Sequence, residues 1–229
     1  MKSNYLLFAY ILTAVVELVL LGCDLSFSIY LRPICVVLIY SYYVVSVKKH
    51  NFFLLFYLTC ELINEMFFLI DFTRYFTLVM LCYSLATFSM LHHLWPLYTK
   101  ANFKTELNEL LRPLLGLIAV MYIFWELTFM VFDNLPNNLV FFPALLALLS
   151  WLFFCTLIPV KNKHPDNFAL YIMGGAMGVM APSMFIYEFL WSKAVVLYFS
   201  LFSMIILKIF LVTYLIKLQN ILKSREEYF

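Results

Sequence analysis

The stretch that decides the fold runs from Phe56 to Trp95 and reads FYLTCELINEMFFLIDFTRYFTLVMLCYSLATFSMLHHLW. It contains two apolar runs, each close to the roughly 20 residues that one membrane-spanning helix needs, and a polar break from Asp71 to Arg74 separates them. The stretch therefore predicts a transmembrane hairpin. Glu61, Asn64 and Glu65 lie inside the first run, where lipid tails offer a carboxyl or amide group no hydrogen-bond partner. These side chains are expected to face other helices or water, and they are the first candidates for a functional site.

The composition of the whole chain is that of a membrane protein. Of its 229 residues, 65% are hydrophobic and only 12% are charged, whereas a soluble domain has about 25% charged residues. The chain is therefore predicted to be a single integral-membrane helical domain, 1–229, without a soluble catalytic or DNA-binding domain. The net charge of +2 gives no reason to expect a nucleic-acid partner. The five cysteines are scattered without a CxxC pair, so neither a metal site nor a disulfide framework is predicted, and no cofactor is expected.

Apolar runs separated by short polar breaks predict an all-α bundle of eight membrane-spanning helices. The predicted spans lie at about 4–22, 33–47, 52–71, 75–98, 112–132, 138–160, 167–190 and 194–216. With eight spans, most basic residues share one side of the membrane, and the other side holds only Arg32, Arg74 and Lys193. Because positively charged connections stay in the cytoplasm, both termini are predicted to be cytoplasmic.

Carboxyl groups on several predicted spans lie at similar depths. At 1.5 Å per residue, Glu17, Glu65 and Glu126 each lie roughly 8–9 Å below the outer end of their spans. Glu61 lies one turn deeper than Glu65 on the same helix face, and Glu188 lies close to the outer rim. This grouping predicts a polar pocket inside the bundle. Since acids outnumber bases there, some of these carboxyl groups are expected to be protonated.

Basic residues inside the spans are the candidate partners of these acids. Lys208 lies near the middle of the last span, where a bare ammonium group is costly, so it is predicted to pair with a carboxylate, and Glu61 is the best match in depth. Arg32 and Arg74, at the outer mouth, are further predicted partners. His92 lies near the inner end of the fourth span, on the order of 13 Å from Glu65 along the membrane normal, and its role is open.

Short residue pairs occur in a recognisable order along the predicted spans. They are Arg32-Pro33, Asn64-Glu65, Leu91-His92, Gly175-Ala176 and Pro182-Ser183. In this order the chain resembles the YhhN-like lysoplasmalogenase family of eight-span membrane proteins. That family has Lys-Pro opening the second span, Gly-Asp in the third, Ala-His late in the fourth, and Gly-Ala followed by Ser-Asp in the seventh. The chain departs from the family at both aspartates, because Glu65 replaces the first and Ser183 the second, with Glu188 as the nearest acid.

The resemblance implies hydrolysis of the vinyl-ether bond of a lysoplasmalogen. In that reaction an acid protonates the enol ether and water attacks the resulting oxocarbenium carbon. Glu65 is then the predicted acid/base, with Glu61 and His92 in supporting catalytic roles. The predicted substrate-binding residues are Arg32, Asn64, Ser183, Glu188, Lys208, Glu17 and Glu126. Membrane lipids are the expected partners, with a lysophospholipid as the candidate substrate, and the sequence gives no prediction of oligomeric state.

Three other functions stay open. The same bundle could bind a lipid or a membrane partner without catalysis. Protonatable carboxyl groups on several helices would also suit a small proton-coupled transporter. A retinal Schiff base on Lys208 is a further alternative, but the even number of predicted spans argues against it, as does the absence of a rhodopsin-like motif around the lysine.

Overall fold

The computed structural model describes residues 2–23, 29–100, 107–162 and 164–223. In these residues the chain forms seven α-helices and no strand, so the predicted all-α class is confirmed. The helices are α1 (Lys2–Gly22), α2 (Leu31–Val47), α3 (Phe52–Lys100), α4 (Leu107–Val131), α5 (Asn138–Lys161), α6 (Phe168–Phe185) and α7 (Ala194–Lys223). Short 3₁₀ turns precede α5 and α6, at Phe132–Asn134 and Pro165–Asn167, and a π-helical segment, Ile186–Leu190, continues α6.

Helix α3 folds back on itself at Asp71. The backbone of Asp71 is extended, with φ −170° and ψ 95°, and its side-chain oxygen accepts a hydrogen bond of 2.9 Å from the N–H of Arg74. Asp71 therefore caps the second arm of α3, residues 72–100, in the way that aspartate caps many helix N-termini. The rings of Phe53 and His92, near the far ends of the two arms, have centroids only 4.5 Å apart. The arms are thus antiparallel, and the predicted hairpin is present.

Polar residues also cap the beginnings and ends of helices at the breaks between the apolar runs of the sequence. Asn51 opens α3, because its side-chain oxygen accepts a hydrogen bond of 3.1 Å from the N–H of Leu54. Asn137 opens α5 in the same way, accepting a bond of 3.0 Å from the N–H of Leu139. Lys48 closes α2 in the left-handed conformation, with φ 58°. The polar breaks that separate the predicted spans are therefore the residues that cap the helices.

The helices pack into one bundle with α5, α6 and α7 next to one another. Helix α3 packs on α5, α5 on α6, and α6 on α7, while α1 and α2 pack together and contact α7. Helices α5 and α6 approach each other closely at Gly174, where an added Cβ atom would lie 3.0 Å from Cβ of Cys155. Helices α1 and α4 are peripheral, since few of their described residues are buried. This arrangement leaves an interior space between α3, α4, α5 and α6.

The length and composition of the helices are consistent with an integral membrane protein. Six of the described helices are long and apolar enough to cross a membrane, with α3 counted once, and α2 is a shorter apolar helix of 17 residues. Large apolar side chains cover the outer surface: Phe8 is 66% exposed, Phe129 77% and Leu139 84%. Apolar surface on this scale is costly in water and is expected where a protein faces lipid. The predicted spans 52–71 and 75–98 correspond to the two arms of α3.

Candidate functional site

Four helices each contribute one charged side chain to a buried group that we call the ion-pair network. Its members are Glu17 on α1, Arg32 on α2, Glu65 on α3 and Lys208 on α7. Nε of Arg32 lies 2.7 Å from Oε1 of Glu17, and Nη1 of Arg32 donates to Oε2 of Glu65 at 3.1 Å. Nζ of Lys208 donates to the other carboxylate oxygen of Glu65. Arg32, Glu65 and Lys208 are only 2%, 3% and 4% exposed.

The ion-pair network is balanced in charge, because two carboxylates face two cations. In soluble proteins, removal of one partner from a buried pair costs about 3–5 kcal/mol, since the other charge is left uncompensated. The network therefore ties α1, α2, α3 and α7 to one another. Both oxygens of Glu65 are already engaged by Arg32 and Lys208. The predicted acid/base is thus held inside the network rather than turned toward an open space.

The predicted pairing of Lys208 with Glu61 is wrong, because Lys208 binds Glu65. The prediction rested on depth alone, and the long aliphatic stem of a lysine lets its ammonium group reach about one helical turn along the membrane normal. Lys208 therefore binds the carboxylate of Glu65, which Arg32 also binds. The prediction that Arg32 would pair with the intramembrane acids is confirmed.

A second buried group, which we call the inner polar group, consists of Glu61, Asn64 and Tyr83. These residues are 1%, 3% and 7% exposed. The amide of Asn64 interacts with the carboxyl of Glu61, and Tyr83, on the second arm of α3, is a close neighbour of Glu61 and of Thr87. Within the described part of the chain, Oε1 of Glu61, Oδ1 of Asn64 and the hydroxyl oxygen of Tyr83 lack an aligned hydrogen-bond partner. Such groups are uncommon in folded proteins, because burial without a partner costs free energy.

A cavity of about 620 Å³, part of it open to the outside, adjoins the inner polar group between α3, α4, α5 and α6. Asn64 and Tyr83 line it, and most of its wall is apolar, with Phe72 and Ala144 among the contributing residues. Thr128 also lines it, but its hydroxyl is already bonded to a carbonyl of its own helix. No described lining residue carries a carboxyl, amino or guanidinium group. The cavity therefore suits an apolar molecule with a small uncharged polar group.

His92 is not brought to either polar group. Its ring is exposed and stacks on Phe53, at the end of the first arm of α3 that is farther from the Asp71 turn. Phe53 and Glu65 are separated by about 18 Å along the helix axis, at 1.5 Å per residue. Direct participation of His92 in chemistry at Glu65 therefore has no geometric support.

The remaining predicted site residues also lie outside the ion-pair network and the inner polar group. Glu126 is exposed on α4 and forms a hydrogen bond with Tyr122, so its expected place in the shared pocket is corrected. Glu188, in the π-helical segment, accepts a hydrogen bond of 3.0 Å from Thr73. Ser183 is half-buried on α6. Depth along a helix did not distinguish these residues from Glu17 and Glu65, because it does not fix which way each helix face is turned.

Comparisons with protein-family models, with curated proteins and with solved structures find no match. The function therefore has to be inferred from the geometry of the ion-pair network, the inner polar group and the cavity.

The chemistry open to this site is hydrogen bonding and proton transfer. In the described parts of the chain, no three His, Cys, Asp or Glu side chains are grouped in a way that could hold a metal ion. Glu61 is a neighbour of two lining residues, Asn64 and Tyr83. The site can thus hold a neutral polar group, and it presents one carboxyl just behind the cavity wall.

Sequence reasoning missed Tyr83 and the apolar wall of the cavity. Tyr83 lies in an ordinary apolar run, and no feature of that run predicts that the hydroxyl of Tyr83 lines a cavity. One signal was available: Glu61 and Tyr83 lie at similar distances on either side of Asp71, so a hairpin turning there places them opposite each other. The apolar lining gave no signal, because Phe, Leu and Ala face lipid, core or cavity with equal ease.

Proposed function

We propose that the chain is an integral membrane protein of eight spans that binds an amphiphilic, lipid-like molecule in the cavity between α3, α4, α5 and α6. The observation that carries the proposal is the make-up of the cavity, which combines apolar walls with a buried amide and phenol from Asn64 and Tyr83. Binding sites for small molecules are typically apolar clefts with a few polar groups. This cavity has the same make-up, and its empty space, including the part that opens to the outside, is about 620 Å³.

Eight membrane crossings are supported by the two antiparallel arms of α3. Residues 52–70 and 72–100 are each close to the roughly 20 residues that one crossing needs. With the other six helices they make eight, and an even number agrees with the one-sided placement of the basic residues. Both termini are therefore proposed to be cytoplasmic.

The ion-pair network supports the binding role because it fixes the position of α3, the helix that carries Asn64. It holds α1, α2 and α7 against the first arm of α3, which carries Asn64 on the adjoining turn. Charged groups in a membrane are costly unless paired, so a network of this kind fixes one arrangement of the helices. A preorganised wall loses less free energy when it binds a ligand than a wall that must first become ordered.

The proposal is tested by identifying what the purified protein carries. The protein is extracted in mild detergent, and bound molecules are released with organic solvent and measured by mass spectrometry per mole of protein. We expect a lipid-like molecule at near-stoichiometric level in the wild type. Ala144→Trp, which fills the cavity from α5, should lower that level at least tenfold.

A matched control comes from the same helix. Leu146 is 59% exposed and does not line the cavity, so Leu146→Trp should retain the wild-type level. Melting of each purified variant establishes that it is folded before its contents are compared. Equal retention by folded Ala144→Trp and Leu146→Trp, or an empty wild type that also takes up no added amphiphile, would refute binding in this cavity.

A lysoplasmalogenase-like hydrolase is the second candidate. It is supported by the resemblance in the spans and by the carboxyl of Glu61 close to the cavity. In this reaction an acid protonates the vinyl ether at carbon and water adds to the oxocarbenium carbon. The resulting hemiacetal breaks down to an aldehyde and the free alcohol of the glycerophospho head part. The same preparations, given lysoplasmalogen, would then release aldehyde. Loss of release in Glu61→Gln, with Glu65→Gln compared beside it, would separate an acid at the cavity from one in the ion-pair network.

A further inference from the structure

Two of the polar residues that line the cavity, Asn64 and Tyr83, are buried and lack aligned partners. Asn64 is 3% exposed and Tyr83 is 7% exposed. Oδ1 of Asn64 and the hydroxyl oxygen of Tyr83 lack an aligned hydrogen-bond partner among the described residues, with the hydroxyl of Thr87 close to that of Tyr83. A protein that buries such groups accepts a free-energy cost that a bound ligand can offset by supplying the missing bonds. The pair therefore indicates what the polar part of a ligand has to offer.

The two residues present complementary hydrogen-bonding groups. The carbonyl oxygen of the Asn64 amide accepts, and its N–H side is occupied by the neighbouring carboxyl of Glu61. The hydroxyl of Tyr83 both donates and accepts. Glu61 is a neighbour of both residues, so their polar atoms lie in the same part of the cavity wall. A ligand hydroxyl could donate to Asn64 and accept from Tyr83 at once.

The charges around the cavity argue against an ionic head group. The described lining contains no cationic side chain to pair with a phosphate or a sulfate, and no carboxylate to pair with an ammonium group. Arg32 and Lys208, the buried cations of the ion-pair network, are already held by Glu17 and Glu65. An anion without a partner in such an environment would lose its hydration and gain no compensating interaction.

We infer that the cavity takes an uncharged single-chain amphiphile whose hydroxyl head donates a hydrogen bond to Asn64 and accepts one from Tyr83, with the chain against the apolar wall. The empty space of about 620 Å³ includes the part that opens to the outside and is therefore an upper limit, which suits one chain rather than a two-chain phospholipid. Glu61 acts here as a positioning residue, because its carboxyl engages the Asn64 amide and leaves the amide oxygen for the ligand. This inference rests on the proposed binding function and names the chemical class of its ligand.

The experiment compares ligands that differ only in the head. The wild-type protein is placed in nanodiscs, and binding of radiolabelled 1-tetradecanol is measured against empty nanodiscs. Methyl tetradecyl ether, tetradecyl sulfate and tetradecylamine then compete for the site. The ether can accept a hydrogen bond but cannot donate one. We expect the alcohol to bind about tenfold more tightly than the ether, which corresponds to about 1.4 kcal/mol, and both charged compounds to compete more weakly than the alcohol.

Two variants distinguish the two hydrogen bonds. In Asn64→Leu the acceptor is lost, so the preference for the alcohol over the ether should disappear while the affinity for the ether stays the same. In Tyr83→Phe the donor is lost, so both ligands should bind more weakly and the preference should remain. A merely structural role of Asn64 would change the affinity for alcohol and ether in equal proportion, so the preference for the alcohol would survive Asn64→Leu.

The outcomes separate this inference from the proposed function. Binding of the alcohol and the ether with equal affinity, or tighter binding of the sulfate or the amine, overturns the inference and leaves an amphiphile site in place. Absence of binding by all four compounds overturns the proposed function together with it. The preference is measured first on the wild-type protein, so a variant that fails to fold does not remove the test.

Discussion

Glu61 and Glu65 are one helical turn apart and have different environments. Glu65 is bound by Arg32 and Lys208, whereas Glu61 lies beside Asn64 and Tyr83. The sequence presents the two glutamates as equivalent, since both are acids on one face of an apolar helix. Their difference arises from which neighbouring helix faces each turn, and it makes Glu61 the acid that neighbours the cavity-lining residues Asn64 and Tyr83.

The ion-pair network predicts the effect of charge changes on stability. Lys208→Met leaves two carboxylates with one arginine, so we expect the free energy of unfolding to fall by about 3–5 kcal/mol. The double variant Glu65→Gln/Lys208→Met retains the Arg32–Glu17 pair and restores the charge balance, so it should be more stable than Lys208→Met alone. Unfolding in a denaturing detergent measures the free energy of unfolding of the wild type, of Lys208→Met and of the double variant.

An exposed ion pair provides the control for this prediction. Lys217 is paired with Asp166 at 2.6 Å, but its side chain is 51% exposed. Exposed pairs contribute about 0–1 kcal/mol, so Lys217→Met should have little effect. If Lys208→Met were no more destabilising than Lys217→Met, the buried network would not be holding the helices together.

At the scale of the helices, the close approach of α5 and α6 depends on a glycine. The Cβ of an alanine at position 174 would lie 3.0 Å from Cβ of Cys155, which is fully buried, while an alanine at Gly175 would meet no atom within 4 Å. Gly174 and Gly175 therefore differ in their packing, although they are adjacent in the sequence. Gly174 sets the distance between two helices, as small residues often do in membranes.

Alanine substitutions at these two glycines should therefore have different effects on the free energy of unfolding. Gly174→Ala forces α5 and α6 apart, and overpacking of this kind costs typically about 1–3 kcal/mol. Gly175→Ala reduces the freedom of the unfolded chain without a clash, so it should be neutral or stabilising by roughly 0.4–1 kcal/mol. Melting temperatures of both variants in one detergent provide the comparison, and equal destabilisation by the two would contradict the packing at Gly174.

At the scale of the whole molecule, the proposed topology depends on the turn at Asp71. A hairpin at that point converts one long helix into two crossings and so determines on which side every later connection lies. The connection that contains Lys49 is then cytoplasmic, and the connections that contain Asp133 and Lys193 are on the opposite side. An odd number of crossings would place the two termini on different sides.

Thiol labelling tests this topology. Cys23 is exposed and the other four cysteines are buried, so Cys23→Ser provides a background with little reactivity. A membrane-impermeant maleimide added to intact cells should label Lys193→Cys and Asp133→Cys, and it should label Lys49→Cys only after the membrane is permeabilised. Labelling of Lys49→Cys and Lys193→Cys from the same side would rule out eight crossings with cytoplasmic termini.

The sequence by itself determined the all-α class, the hairpin between Phe56 and Trp95, and the polar breaks that cap the helices. These features are local, because the length of an apolar run and the capping preference of Asp71 or Asn137 act over only a few neighbouring residues. They can therefore be predicted without knowing which helices are neighbours.

Only the tertiary structure decided which polar residues meet. Glu17 and Glu126 have the same predicted depth, but Glu17 joins Arg32 in the interior and Glu126 lies exposed on α4. Hydropathy fixes the length of a span and its approximate depth, whereas the rotation of each helix is set by packing against its neighbours. For that reason the pairing of Lys208 with Glu65, and the cavity beside Asn64 and Tyr83, became evident only once the helices were placed together.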